Sequence, residues 1–151
     1  MTLTDVVISN NGNAGTFEGG GIHNKEVAIL NGVTLSGNRS DRGGGIHNDN
    51  TVTSLSLTNV TVSGNTGVDT GGGLNNENWA TINNATFTLN TASTGAGIFN
   101  EGAASEIDIR NTIVAGNLTS SDVEGDFNSL GNNLIGNSTG SSPGNSPGNS
   151  P

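Results

Sequence analysis

Apolar residues recur along this chain in short alternating blocks. Leu30, Val33 and Leu35 return as Leu57, Val60 and Val62, then as Ile82, Ala85 and Phe87. The next copy reads Ile109, Thr112 and Val114, and the chain opens on Leu3, Val6 and Ile8. Apolar–polar alternation with a period of two predicts short strands that bury one face. The alternation breaks once per block, as at Thr58-Asn59. That break predicts a corner, because Asn tolerates left-handed backbone angles. The pairs Gly37-Asn38, Gly64-Asn65 and Gly116-Asn117 predict a second corner.

A second motif alternates with these blocks. Gly19-Gly20-Gly21-Ile22-His23-Asn24 recurs as Gly43-Gly44-Gly45-Ile46-His47-Asn48. It returns as Gly71-Gly72-Gly73-Leu74-Asn75-Asn76 and as Gly95-Ala96-Gly97-Ile98-Phe99-Asn100. The blocks close at Asn11, Asn38, Asn65, Asn90 and Asn117, in steps of 25 to 27 residues. Each repeat is two to three short strands and cannot bury its apolar face alone. Stacked copies can, as one β-solenoid. The expected fold is all-β, a parallel β-helix of about five coils of 25–27 residues. Equivalent residues then sit ~4.8 Å apart, in a rod ~25–30 Å long. The core is expected to include Ile22, Leu30, Leu35, Ile46, Leu57, Val62, Leu74, Ile82, Phe87, Ile98, Ile109 and Val114. Asn24, Asn48, Asn76 and Asn100 are expected to stack as an amide ladder that satisfies turn backbone and does no chemistry.

Composition supports this picture. Of 151 residues 25 are Gly, and only 30% are hydrophobic and 3% aromatic. Gly and Asn are poor helix formers, which argues against a helical bundle. Low hydrophobicity suits disorder, but disordered chains carry high charge and lack periodic apolar positions, whereas only 11% of residues here are charged. The net charge of −9 offers no basic stripe, so nucleic acid and anionic membrane surfaces are disfavoured partners. No cysteine is present, which removes disulfides and thiolate metal sites. No apolar run approaches the ~18 residues of a membrane span, so no membrane insertion is expected in this segment. Met1 to Asn11 does not read as a signal peptide.

The motif GGGI-x-N followed by L-T-N-x-T-x-S-G-N resembles the repeats of bacterial right-handed parallel β-helix surface proteins. It is similar to polymorphic outer-membrane-protein repeats. Asn111 to Asn117, leading to Ser129-Leu130-Gly131-Asn132-Asn133-Leu134-Ile135-Gly136, resembles the last repeat of choice-of-anchor, CSLREA-type extracellular proteins. The resemblance, with the general rule for parallel crossovers, implies a right-handed coil. It also implies a secreted or cell-surface bacterial location and a longer parent chain that carries the signal peptide and anchor. Residues 1–140 are expected to form the repeat domain. Residues 141–151, a Pro-Gly-Asn-Ser tandem, are expected to form a disordered linker.

Candidate chemistry is sparse. His23 and His47 occupy equivalent positions, with Asn75 and Phe99 continuing the row. Two imidazoles ~5 Å apart suit a shared divalent metal, but no third ligand stands at matching spacing, and a solvated outer face is expected. Glu106, Asp108 and Arg110 alternate outward on one strand, similar to the carboxylates of polysaccharide-cleaving β-helix enzymes. Neighbouring coils present Thr81 and Asn83, then Ser56 and Thr58, so the acids do not cluster. A surface ion pair worth under ~1 kcal/mol is expected there, with no catalytic residue and no enzyme. Asp122, Glu124 and Asp126 are candidate calcium ligands in a loop. No other cofactor is expected. Thr34 and Ser36, Thr61 and Ser63, and Thr86 and Thr88 form an outward hydroxyl array, a candidate surface-binding row that resembles ice-binding solenoids. Trp79 is a candidate sugar platform, but a partly buried loop position is expected. The function expected is a non-catalytic structural or adhesion-type segment that meets polysaccharide or a host or neighbouring cell surface. The alternatives are a polysaccharide-binding or -cleaving remnant and an ice-binding solenoid.

Overall fold

The structure is a computed structural model that describes residues 1–12, 15, 17–50, 54–101 and 106–138. The expected linker at 141–151 lies outside the described residues. The described chain is all-β, and its strands stack in parallel as a β-solenoid of about four turns. The expectation was about five coils. The first block supplies Thr2–Thr4 and Val7–Ser9 but no strand of the histidine-bearing sheet, and the last block supplies strands of only two residues.

Three long sheets form the walls. The first holds Ile22–Asn24, Ile46–Asn48, Leu74–Asn76, Ile98–Asn100 and Val123–Glu124. The second holds Thr2–Thr4, Val27–Asn31, Ser54–Thr58, Trp79–Asn83, Glu106–Arg110 and Asn128–Ser129. The third holds Val7–Ser9, Thr34–Ser36, Thr61–Ser63, Thr86–Thr88, Ile113–Val114 and Leu134–Ile135. A smaller pair, Arg39–Arg42 with Thr66–Thr70, lies between the third sheet and the Gly triplets of the next coil.

Each residue pairs with its repeat counterpart. His23 opposes His47, Leu30 opposes Leu57, and Leu35 opposes Val62. All twelve expected core residues are buried, and Ala28, Leu55, Ala80 and Ile107 join them. Fully burying each large aliphatic side chain contributes ~1.5–3 kcal/mol.

Left-handed backbone turns three of the corners, whereas the corner after Asn24 and Asn76 turns without it. Asn59, Asn84 and Asn111 take φ of 55°, 55° and 51° at the first corner, and Gly37, Gly64 and Gly116 take 64°, 63° and 68° at the second. The third corner is the Gly triplet. Gly43 has φ 63°, and a Cβ on Gly44 would stand 2.4 Å from the Thr66 backbone. Only glycine lets two coils approach that closely.

Two amide ladders run through the buried corners. In the first, Asn24 donates to Asn48, Asn48 to Asn76 and Asn76 to Asn100, at 2.8, 2.7 and 2.8 Å. In the second, Asn38 donates to Asn65, Asn65 to Asn90 and Asn90 to Asn117, at 3.0, 3.0 and 2.9 Å. Sequence marked these last Asn residues only as corners. Asn65 Oδ1 accepts from both the backbone N–H and the amide of Asn38, and its own amide donates to Leu35 O at 3.0 Å. Asn65→Ala orphans several buried groups at ~1–3 kcal/mol each. The expected loss in chemical denaturation is about 3 kcal/mol or more, and a loss under about 1 kcal/mol would count against the ladder as a main stabilising element.

Candidate functional site

The outer side of the first sheet carries one column of side chains: His23, His47, Asn75, Phe99 and Glu124. Two further columns flank it. Glu18, Arg42, Thr70 and Thr94 precede the three Gly triplets and the matching Gly95-Ala96-Gly97, and are joined by parallel bridges. Lys25, Asp49, Glu77 and Glu101 follow the four ladder asparagines, and the backbone N–H of each of the last three donates to the ladder Asn one coil earlier. The column of two histidines therefore lies between two charged rows rather than on open solvent.

The expectation of a solvated histidine face is overturned. The His47 side chain is only 1% exposed. Its ring meets His23 edge-on, with centroids 5.0 Å apart. Asn75 Nδ2 sits 3.3 Å from its Nδ1, and Thr70 Oγ1 donates to Asn75 Oδ1 at 2.7 Å. Further ligands do exist, and they come from the flanking columns. Asp49 Oδ2 lies 3.0 Å from His23 Nε2, and Glu18 Oε2 lies 3.5 Å from it. Glu18 Oε2 also lies 3.8 Å from His47 Nε2. The donor atoms of Glu18, His23, His47 and Asp49 are all within 4.8 Å of one another.

Arg42 closes one side. Its guanidinium lies 3.7 Å from Glu18 and 2.7 Å from Glu77, and it also pairs with Glu101. Glu77 Oε1 is buried and receives no hydrogen bond, even from the nearby Arg42, because proximity alone does not align the N–H. Burial pushes the Glu77 carboxyl up to about 7 against the pull of Arg42, and the Glu101 and Glu18 carboxylates add to the rise. Burial pushes His47 down to about 4; Glu18 opposes this, while His23 and Arg42 reinforce it.

The residues singled out from sequence fall elsewhere. Asp122, Glu124 and Asp126 do not converge. Asp122 is buried and ends the second amide ladder: its Oδ1 accepts from Asn117 N and Nδ2, each at 2.7 Å, and its Oδ2 accepts from Asn137 N at 2.8 Å. Glu124 accepts from Ser121, and Asp126 is exposed. Glu106, Asp108 and Arg110 do project outward. Asn128 Nδ2 donates to Glu106 at 2.8 Å and Asp108 at 3.1 Å, so the next coil meets the acids with an amide rather than a third acid. Trp79 opens a strand instead of occupying a loop and is 47% exposed. Thr34, Thr61 and Thr86 align across coils, as do Ser36, Ser63 and Thr88. Exposed Val7 and Ile113 bound the threonine row.

Sequence reasoning found both histidines and missed Glu18 and Asp49. The available signal was positional: the residue after each Asn of the first ladder is charged, and Glu18 precedes the first Gly triplet. Comparison with protein-family models, with curated proteins and with solved structures finds no significant match to this chain.

Opposed shifts make a pH prediction. Glu77 binds its proton more tightly folded than unfolded, so its contribution is full below 4.5 and is lost as pH rises through about 7. His47 binds its proton less tightly folded, so its contribution is full above 6.5 and is lost as pH falls through about 4. The two slopes oppose each other between 4.5 and 6.5. In chelator-treated protein, Glu77→Gln is expected to expose the histidine slope, with the thermal midpoint rising across that window. A midpoint that falls with pH there in the variant would contradict this assignment.

Proposed function

We propose that this solenoid is a non-catalytic structural or adhesion-type segment of a secreted or cell-surface bacterial protein. One observation carries the reading. The same ladders and in-register pairs continue from coil to coil, and the outward residues of the second and third sheets are mostly small hydroxyls and amides. That pattern serves stacking and display. Asn128 holds both Glu106 and Asp108, and on the other side Glu106 faces Trp79 and Asp108 faces Thr81, so neither neighbouring strand adds a further acid to the pair. The resemblance of the repeat motifs to bacterial surface β-helices supports the location and a longer parent chain.

The second sheet gives a candidate contact face for polysaccharide. Trp79, Val27 and Ile29 are exposed there, beside a shallow groove lined by Ser56, Thr58, Thr81, Asn83 and Arg110. An exposed indole next to hydroxyls and amides suits the mixed apolar and polar faces of sugars. The test is size-exclusion chromatography with acidic and neutral polysaccharides, with and without calcium. Co-elution without any shortening of the polysaccharide is expected. Shortening would replace this reading with an enzyme, and Glu106, Asp108 and Arg110 would be its first candidates.

The aligned hydroxyls of the third sheet favour a second reading, ice binding. Repeats of Thr and Ser at the ~4.8 Å strand spacing give a flat, regular array. Thermal hysteresis in the native protein that disappears in Thr61→Tyr would establish it; no hysteresis in the native protein would remove it.

A further inference from the structure

We propose that Glu18, His23, His47 and Asp49 form a binding site for one divalent transition-metal ion of the zinc class, which joins the first two coils of the histidine-bearing sheet. Geometry comes first. A tetrahedral ion with bonds of ~2.0–2.2 Å needs donors about 3.4 Å apart. The measured separations of 3.0, 3.5 and 3.8 Å bracket that value, and no pair among the four exceeds 4.8 Å. The chemistry fits as well. Two imidazoles and two carboxylates suit zinc and its neighbours, whereas calcium takes six to eight oxygens.

Two further observations point to a cation. His47 is 1% exposed, and the carboxylate oxygens nearest its Nε2 stand at 3.6 and 3.8 Å, beyond hydrogen-bond reach. A buried histidine side chain thus stands against carboxylates that its Nε2 does not reach by hydrogen bond. The formal charge is also unbalanced. Glu18, Asp49, Glu77 and Glu101 surround Arg42 and Lys25, four acids against two bases. A divalent ion offsets this excess of acid.

The surroundings match a metal site in two other respects. Glu18 and His23 are 37% and 24% exposed, so the cluster is open to solvent on their side, and an open depression lined by Phe17, Asp41, Arg42 and Asp69 adjoins Glu18. Asn75 is the positioning residue. With Nε2 on the metal, His47 Nδ1 carries the proton and needs an acceptor. A flip of the Asn75 amide turns Oδ1 to His47, and Thr70 Oγ1 then accepts from Nδ2, so both hydrogen bonds survive.

The ion has a structural consequence. Glu18 and His23 precede and occupy the edge strand of the sheet, while His47 and Asp49 belong to the next coil. Bound metal clamps that edge strand to its neighbour.

The experiment uses the full chain, stripped with chelator and titrated with Zn²⁺ by calorimetry, with Ca²⁺ as the comparison. One equivalent of Zn²⁺ is expected, with Ca²⁺ at least about 100-fold weaker. Loss of even an outer-shell partner costs ~10–100-fold in affinity, so His23→Asn is expected to weaken zinc at least about 100-fold. The fold accepts Asn in this column, as Asn75 shows. Glu18→Gln, on a partly exposed side chain, gives the same readout independently of that strand. Co²⁺ in place of zinc is expected to give the strong visible absorption of a four-coordinate site, lost in His23→Asn. Zinc is also expected to raise the thermal midpoint of the native chain and not of His23→Asn. No stoichiometric zinc binding, or binding that both variants leave intact, would overturn the proposal.

Discussion

Like stacked on like is the constraint from which the rest of this structure follows. In a parallel, in-register solenoid each side chain meets its own counterpart one coil away. Few residue types tolerate that. Asn does, because its amide both donates and accepts, so an identical neighbour satisfies it. The two buried ladders use this property from coil to coil. Apolar residues tolerate it through packing, and Thr and Ser through small size and a rotating hydroxyl. A carboxylate or an ammonium does not, because like charges held at strand spacing repel.

That constraint explains the composition and the location of the charged cluster around Arg42. Only 11% of the chain is charged. The second ladder ends at Asp122, an acceptor on both oxygens, which receives Asn117 and has no need to donate onward, and the first ends with Asn100 donating to the Asp126 carbonyl. The column Lys25, Asp49, Glu77 and Glu101 breaks the rule, since three acids follow one another through successive coils. Arg42 bridges two of them, and Glu77 still keeps a buried oxygen without a hydrogen bond. Repulsion and burial, not a special fold, raise the Glu77 carboxyl. The same crowding turns His47 from a surface residue into a buried one, because the paired side chains of the flanking columns cover it.

The fold was legible in the sequence because periodicity encodes it directly. Leu30 to Phe87 alternate in phase, Asn59 and Asn84 sit at the left-handed corner, and Asn24 to Asn100 stack as their spacing demands. The second ladder was hidden because Asn38 and Asn65 also satisfy a turn signal, and one explanation masked the other. The site was half legible. His23 and His47 recur at a repeat position, but Glu18 and Asp49 belong to different columns, and their convergence depends on how far the corners lean side chains inward. Periodicity gives a residue's column, not the distance between columns. Asp122 misled for the opposite reason: alternating acids suit calcium on a loop, yet one of them was needed to end a ladder.

Repeat and departure thus divide the labour. Residues that obey the repeat hold coils together, and they are poor carriers of chemistry because each is already satisfied by its copy. Chemistry requires unlike groups to meet, so it belongs where neighbouring coils differ. Along the first sheet the column changes from His to Asn to Phe, and on one side the flanking rows change from Glu to Arg to Thr. The column keeps His at the edge strand, Ile22–Asn24, and its neighbour, while both flanking rows change there, from Glu18 to Arg42 and from Lys25 to Asp49. The mixed ligand cluster therefore stands where unlike flanking rows meet across a repeated histidine, which is the arrangement a stapling ion would require and a purely solvated histidine pair would not.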